Sequence, residues 1–176
     1  VGYHSLGAAS AADYNVAIGK SALAAATTSD FNTAVGAEAL EANTTGANNT
    51  SIGFRSMESN TTGNSNTAVG YLALQANTTG ERLAGIGYGA LNANTSGADN
   101  VALGWGSLNQ DTTGNYNTGI GSYSLIDNVD ADHNTGVGYY SLRSNTTGLQ
   151  NTAVGAKALS ANTTAHNNTA VGCEAM

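Results

Sequence analysis

The sequence predicts an all-β fold, a parallel β-solenoid of 17-residue coils. Three observations carry that prediction. One glycine recurs at Gly2, Gly19, Gly36, Gly53, Gly70, Gly87, Gly104, Gly121, Gly138, Gly155 and Gly172, always 17 residues on, with no insertion or deletion. The residue before this anchor is always Val, Ile or Leu, and the fourth after it is Leu or Met. Between anchors lies a turn rich in Asn, Thr and Gly, as at Asn77–Gly80. A helical solenoid needs about 33 or more residues per unit, and β-branched residues with a recurrent glycine disfavour helix. The strict register also rejects low-complexity disorder, which the Gly/Asn/Thr richness alone would suggest.

One coil justifies the others. In Asn66-Thr-Ala-Val-Gly70, Thr67 and Val69 share one face and Ala68 and Gly70 the other, the alternation of a strand. A second short strand or a bend follows over Tyr71-Leu-Ala-Leu-Gln75. Asn77-Thr-Thr-Gly80 then reads as a turn, because Asn and Gly tolerate positive φ. Two strands of about four or five residues and two turns fill one coil, and coils stack by parallel pairing at ~4.8 Å. Residues 1–176 form a single array of about ten coils, a rod of roughly 50 Å.

Stacking lines equivalent residues into columns. The Val/Ile and Leu columns are expected inside. Asn15, Asn32, Asn49, Asn66, Asn100, Asn117, Asn134, Asn151 and Asn168 are expected to form an amide ladder, and the turn threonines a hydroxyl ladder. Ala17, Ala34, Ser51, Gly85, Ala102, Gly119 and Gly136 form a face of small residues, which lets another backbone come close. Two large aliphatic residues per coil offset little of the entropy lost in ordering seventeen residues. We therefore expect three chains to press these small faces together as a parallel homotrimer.

Net charge is −7 and only 10% of residues are charged, which argues against nucleic acid and against an anionic membrane surface. No apolar run approaches the ~18 residues of a transmembrane helix. No signal peptide is visible and the chain opens and closes within a coil, so a longer fibrous protein is expected around it. The single Cys173 excludes a disulfide or a multi-cysteine zinc site within one chain, and it occupies a variable slot. His4, His133 and His166 lie in different coils and do not recur. No nucleophile elbow, phosphate loop or metalloprotease motif is present. Neither an enzyme nor a cofactor is expected.

Departures from the repeat are the places to look for recognition. Gly7-Ala-Ala-Ser-Ala-Ala-Asp13 replaces the usual turn in the first coil, and Leu83 interrupts the Asn column. Drift and local repacking explain both; a surface contact with a partner is the functional alternative for Leu83. Asp127, Asp130 and Asp132 crowd one turn beside Asp111 and Asn128. They supply oxygens of the kind Ca²⁺ takes, but the spacing matches the EF-hand only loosely and its Gly and distal Glu are missing. A solvated acidic turn is the plainer explanation. Aromatics gather after the anchor, at Tyr3, Phe54, Tyr71, Tyr88, Trp105 and Tyr139, with Tyr123 and Tyr140 one place on. Stacked at ~4.8 Å, they cover the core edge or a seam between chains, or they form a stripe that binds sugar rings. For a glycan, Tyr88 and Trp105 are the candidates. The glycosylation pattern at Asn43, Asn60, Asn77, Asn145 and Asn162 is already explained by turn chemistry.

The words Asn-Thr-Ala-Val-Gly-Tyr-x-Ala-Leu and Asn-Thr-Thr-Gly resemble the head repeats of trimeric autotransporter adhesins, centred on Val-Ala-Ile-Gly. Asn15-Val-Ala-Ile-Gly19 and Asn100-Val-Ala-Leu-Gly104 are the nearest matches. The chain also resembles 17-residue repeats of phage tail fibres. The resemblance covers essentially the whole chain and implies a left-handed parallel β-roll, three chains per rod and a role in attachment outside the cell, on a bacterial surface or a virion tail. Autotransporter heads commonly use a shorter coil, which favours the fibre-type relative. The leading expectation is a rigid trimeric rod. A rod whose side binds glycan or matrix protein comes second. Ice binding through the paired threonines comes third, against which adjacent strand residues point to opposite faces.

Overall fold

The computed structural model describes residues 1–8 and 10–176. Ala9, inside the atypical first turn, lies outside the described residues. Among the described residues there is no helix, and ten three-residue strands run from β1 (Val16–Ile18) to β10 (Thr169–Val171), one per coil. They form one parallel sheet in sequential order. The register never slips: β4 (Thr67–Val69) pairs with β5 (Ala84–Ile86) as Thr67 with Ala84 and Val69 with Ile86. The chain is a β-solenoid of 17-residue coils.

The second strand is not formed. The leg after the anchor is a run of turns in which left-handed residues alternate with ordinary ones. In the coil of Gly70, Leu72 has φ 56° and Leu74 has φ 53°. This leg still bonds to its neighbours. Leu72 N–H donates back to Phe54 O at 3.1 Å, while Leu74 and Ala76 N–H donate forward to Ala90 O at 2.9 Å and Asn92 O at 3.0 Å. Backbone pairing therefore continues around the coil although sheet geometry does not.

The interior corrects the predicted faces. Leu23, Leu40, Met57, Leu74, Leu91, Leu108, Leu125 and Leu142 are fully buried, as expected. The Val/Ile column is not inside. It faces outward, with Ile18 48%, Ile52 40% and Ile86 39% exposed. The small residues Ala34, Ser51, Ala68 and Ala153 are fully buried opposite the leucines. The reason is width. A Cβ added at Gly119 would lie 2.5 Å from Ser107 Oγ and 3.3 Å from Leu108 Cγ. One leucine per coil fills the lumen, and nothing larger than alanine or serine fits across from it. The small face is therefore not available as a contact between chains.

Two buried amide columns complete the core. The expected one is present, but over most of it the amides bond backbone: Asn49 Oδ1 accepts the backbone N–H of Asn66 at 2.9 Å, and Asn49 Nδ2 donates to Gly63 O at 2.9 Å; amide-to-amide bonds join only the last rungs, Asn151 Nδ2 to Asn134 Oδ1 at 3.2 Å and Asn168 Nδ2 to Asn151 Oδ1 at 3.0 Å. The second column is the Asn of each Asn-Thr-Thr-Gly turn. There the amides bond one another: Asn60 Nδ2 donates to Asn43 Oδ1 at 2.7 Å and Asn77 Nδ2 to Asn60 Oδ1 at 2.8 Å. Turn threonines are linked hydroxyl to backbone carbonyl, not hydroxyl to hydroxyl. Thr61 Oγ1 donates to Thr78 O of the next coil at 3.0 Å.

Candidate functional site

Each departure from the repeat has a defined place. Leu83 is buried, so it makes no surface contact, and its backbone N–H still donates to Asn66 Oδ1 at 2.9 Å. Its aliphatic side chain packs in the interior and offers no acceptor to the next coil, so the amide column stops at Leu83 and resumes from Asn100.

Asp127, Asp130 and Asp132 do not converge. Asp127 Oδ1 accepts from Gln110 Nε2 at 3.2 Å, Asp132 Oδ1 accepts the backbone N–H of Asn115 at 2.7 Å, and Asp130 is exposed. The close carboxylate trio among the described residues is Glu38, Glu41 and Glu58. Arg55 already pairs with two of the three, with Nε 2.6 Å from Glu38 and 3.7 Å from Glu58. The Glu38 hydrogen bond, helped by the Glu58 charge, raises the Arg55 pKa further.

Of the Asn-x-Thr motifs, Asn43, Asn60, Asn77 and Asn145 are fully buried within the amide column, out of reach of a modifying enzyme once folded. In the paired threonines the first hydroxyl of each pair donates to a backbone carbonyl of the next coil.

Asp111 is the chemically distinct member of the amide column. It is fully buried. Its Oδ1 accepts Gly114 N–H at 2.9 Å, and its Oδ2 lies 3.4 Å from Asn117 Nδ2. Where an amide would donate to the preceding rung, an ionised carboxylate has no hydrogen, and Asn94 Oδ1 is left buried without a donor. Burial pushes the Asp111 carboxyl up to about 7. The Gly114 N–H and the Asn117 and Asn128 amides oppose that rise, and the Asp132 charge adds to it. A protonated Asp111 supplies the missing O–H. The sequence places Asp111 in this column but gives no sign that the column is buried.

The aromatic side chains gather as expected. Phe54, Tyr71, Tyr88 and Trp105 stack in succession, with centroids 5.4, 5.1 and 5.4 Å apart. The stripe then moves over by one residue. Trp105 meets Tyr123 edge to face at 4.5 Å and 75°, and Tyr123 stacks on Tyr140 at 5.1 Å. Under the shift lies a cleft of about 180 Å³ lined by Tyr88, Trp105, Gly106, Asn109, Tyr123 and Ile126. A second aromatic column was missed. Tyr14 stacks on Phe31 at 5.1 Å and Tyr116 on His133 at 4.9 Å. Their separation of 17 residues was the available signal.

The outer sheet face runs along all ten strands. Its two columns are Val/Ile/Leu beside the anchor and, two residues earlier, mostly threonine, as in Thr33, Thr50 and Thr67. No charged residue enters either column from β1 to β10.

Scans against family models, curated proteins and solved structures return no match to this chain.

Proposed function

We propose that the chain is a rod segment of a trimeric extracellular fibre, a surface adhesin or a tail fibre, and that its task is rigid spacing for attachment. The observation that carries this is the uncharged outer face. An apolar column, 36% to 48% exposed at Ile18, Ile52, Ile86, Leu103, Ile120 and Val154, runs the length of the sheet, whereas monomeric proteins rarely expose a contiguous apolar patch beyond a few hundred Å². Three copies related by a threefold axis bury this column from every chain at once. The Thr/Val face thus replaces the small-residue face as the seam. Uniform coils support the spacing role, since equal steps give a straight unit whose length follows repeat number.

Native mass measurement tests the assembly. The expected species has three times the chain mass of 17.6 kDa. A stable monomer at micromolar concentration overturns it.

A further inference from the structure

We propose that the turn of residues 94–100 is a proton-operated joint in the rod, closed while Asp111 carries its proton and opening locally when the proton leaves. This goes beyond the spacing role and holds for one chain or three, because the turn lies between β5 and β6 (Val101–Leu103) and outside the sheet face.

Four amide links tie an intact turn to the coils on either side. For residues 60–66, Asn60 Nδ2 donates to Asn43 Oδ1 and Asn60 Oδ1 accepts from Asn77 Nδ2. Asn66 N–H donates to Asn49 Oδ1, and Asn66 Oδ1 accepts Leu83 N–H. Residues 94–100 keep two of these four: Asn94 Nδ2 donates to Asn77 Oδ1 at 2.9 Å, and Asn100 Oδ1 accepts Asn117 N–H at 2.8 Å. The other two are removed by changes in the flanking coils. Leu83, in the coil before, has no side-chain acceptor. Every other residue at this position from Asn32 to Asn168 gives its backbone N–H to an Asn Oδ1 one coil back. Asn100 gives its own to no acceptor among the described residues. Asp111, in the coil after, has no amide hydrogen for Asn94 Oδ1. Asn94 and Asn100 are both fully buried. One turn thus holds an unmet buried donor and an unmet buried acceptor, each desolvated without compensation.

Only the second defect can be switched. A protonated Asp111 supplies an O–H for the Asn94 acceptor and leaves one group unmet. An ionised Asp111 sets an unpaired buried charge beside an unpaired buried acceptor. Gly114 N–H and Asn117 Nδ2 face the carboxyl from its own coil, and Asn128 from the coil after. The charged groups around it are Asp127, Asp130 and Asp132 in the following turn and Asp99 in the preceding one. Asp99 is held by Arg82 at 2.7 Å, and His133 stacks on Tyr116. No cation pairs with Asp111 among the described residues. Away from this corner the coils stay joined. Strand β5 pairs with β6, and Leu91 N–H donates to Ser107 O at 3.1 Å. Opening is therefore confined to the turn, a local event of the kind hydrogen exchange detects.

Hydrogen exchange of the whole chain, corrected for its intrinsic pH dependence, tests the joint. The reporter is Thr95 N–H, bonded to Thr112 O at 2.9 Å, and its match in an intact turn is Thr61 N–H, bonded to Thr78 O at 2.9 Å. At about pH 8, Thr95 should be at least about tenfold less protected than Thr61, since one unmet buried group is worth roughly that factor. Its protection should fall about tenfold per pH unit from pH 5 and level off above about 7, as the turn opens with loss of one proton. Low urea should leave this exchange nearly unchanged, because a local opening exposes little surface. Asp111→Asn should raise protection at Thr95 and remove the pH dependence. Leu83→Asn returns the acceptor for Asn100 N–H and should raise protection at every pH while keeping the pH dependence. Both variants carry the residue found in neighbouring coils, so both should keep the wild-type circular dichroism spectrum. The proposal is overturned if Thr95 and Thr61 are equally protected at about pH 8, or if exchange at Thr95 follows urea as global unfolding does. Retention of the pH dependence in Asp111→Asn, or unchanged protection in Leu83→Asn, also overturns it.

Discussion

At Gly70 a single hydrogen decides whether two coils can stack. Its φ is +140°, and an added Cβ would lie 2.4 Å from Gly87 O in the next coil. Both the conformation and the space exclude a side chain. Gly70→Ala should therefore cost several kcal/mol, at or above the ~3 kcal/mol upper end of ordinary substitutions, measurable as a lowered midpoint in urea. Asp111 acts in the opposite sense. Its carboxyl is raised to about 7 by burial, so the unfolded chain releases this proton more readily than the folded one. The stability it preserves is complete below the ordinary carboxylate range and is lost as pH climbs through about 7. The loss is on the order of 4 kcal/mol once the group is fully ionised. Asp111→Asn should flatten this slope between pH 4 and about 7.5 and raise stability above it, since an amide donates to Asn94 Oδ1 at any pH. Thermal unfolding of both proteins across that range checks the prediction. An equal slope in the variant would show that Asp111 is not its source.

Within one coil, the strand and the amide column were unequally legible. Alternation of Thr67, Ala68 and Val69 reveals a strand and its two faces, and those are observed. It does not say which face is inside. Hydrophobicity favours Val69, but Leu74 already fills the lumen and leaves room only for Ala68. The left-handed leucines were hidden for a related reason, since Leu ordinarily avoids positive φ at a cost of ~1–2 kcal/mol. Burial in the lumen outweighs that cost. The Asn-Thr-Thr-Gly word was correctly read as a turn, yet its Asn has a second task that no single coil displays. Asn77 Nδ2 donates to Asn60 Oδ1, and Asn77 Oδ1 accepts from Asn94 Nδ2 at 2.9 Å. Asn77→Ala should cost about 2–4 kcal/mol, because it leaves two buried neighbours short of a partner. Thr79→Ala, at an exposed site in the same turn, should fall within ~0.5 kcal/mol. Chemical denaturation of the two variants gives the comparison.

Across the whole molecule, the period was fully legible and the assembly was not. Seventeen-residue spacing is printed in the chain, and so is the parallel sheet that follows from it. A seam between copies depends on which face is left outside, which depends on the lumen. The proposed seam makes a sharp prediction. Ile52→Lys with Ile86→Lys places two charges in the outer column at positions 40% and 39% exposed. A monomeric rod would tolerate them as surface changes within ~1 kcal/mol in total. A trimer would bury six unpaired ammonium groups at its axis and should dissociate, with the β circular dichroism signal retained. Sedimentation separates the outcomes.

The amide column described above also has a direction. Asn60, Asn77, Asn94, Asn145 and Asn162 each donate to the coil before, never to the coil after. Strand backbone bonds run both ways: Thr67 N–H points forward to Leu83 O, and Gly70 N–H points back to Ile52 O. The column is thus a file of amide dipoles oriented alike, a side-chain counterpart of the aligned peptide dipoles in a helix. Within it the early end is donor-rich and the late end acceptor-rich, which gives a rod of near-identical coils an electrical polarity. Asp111 interrupts that file, and its proton decides whether the two segments are joined or insulated.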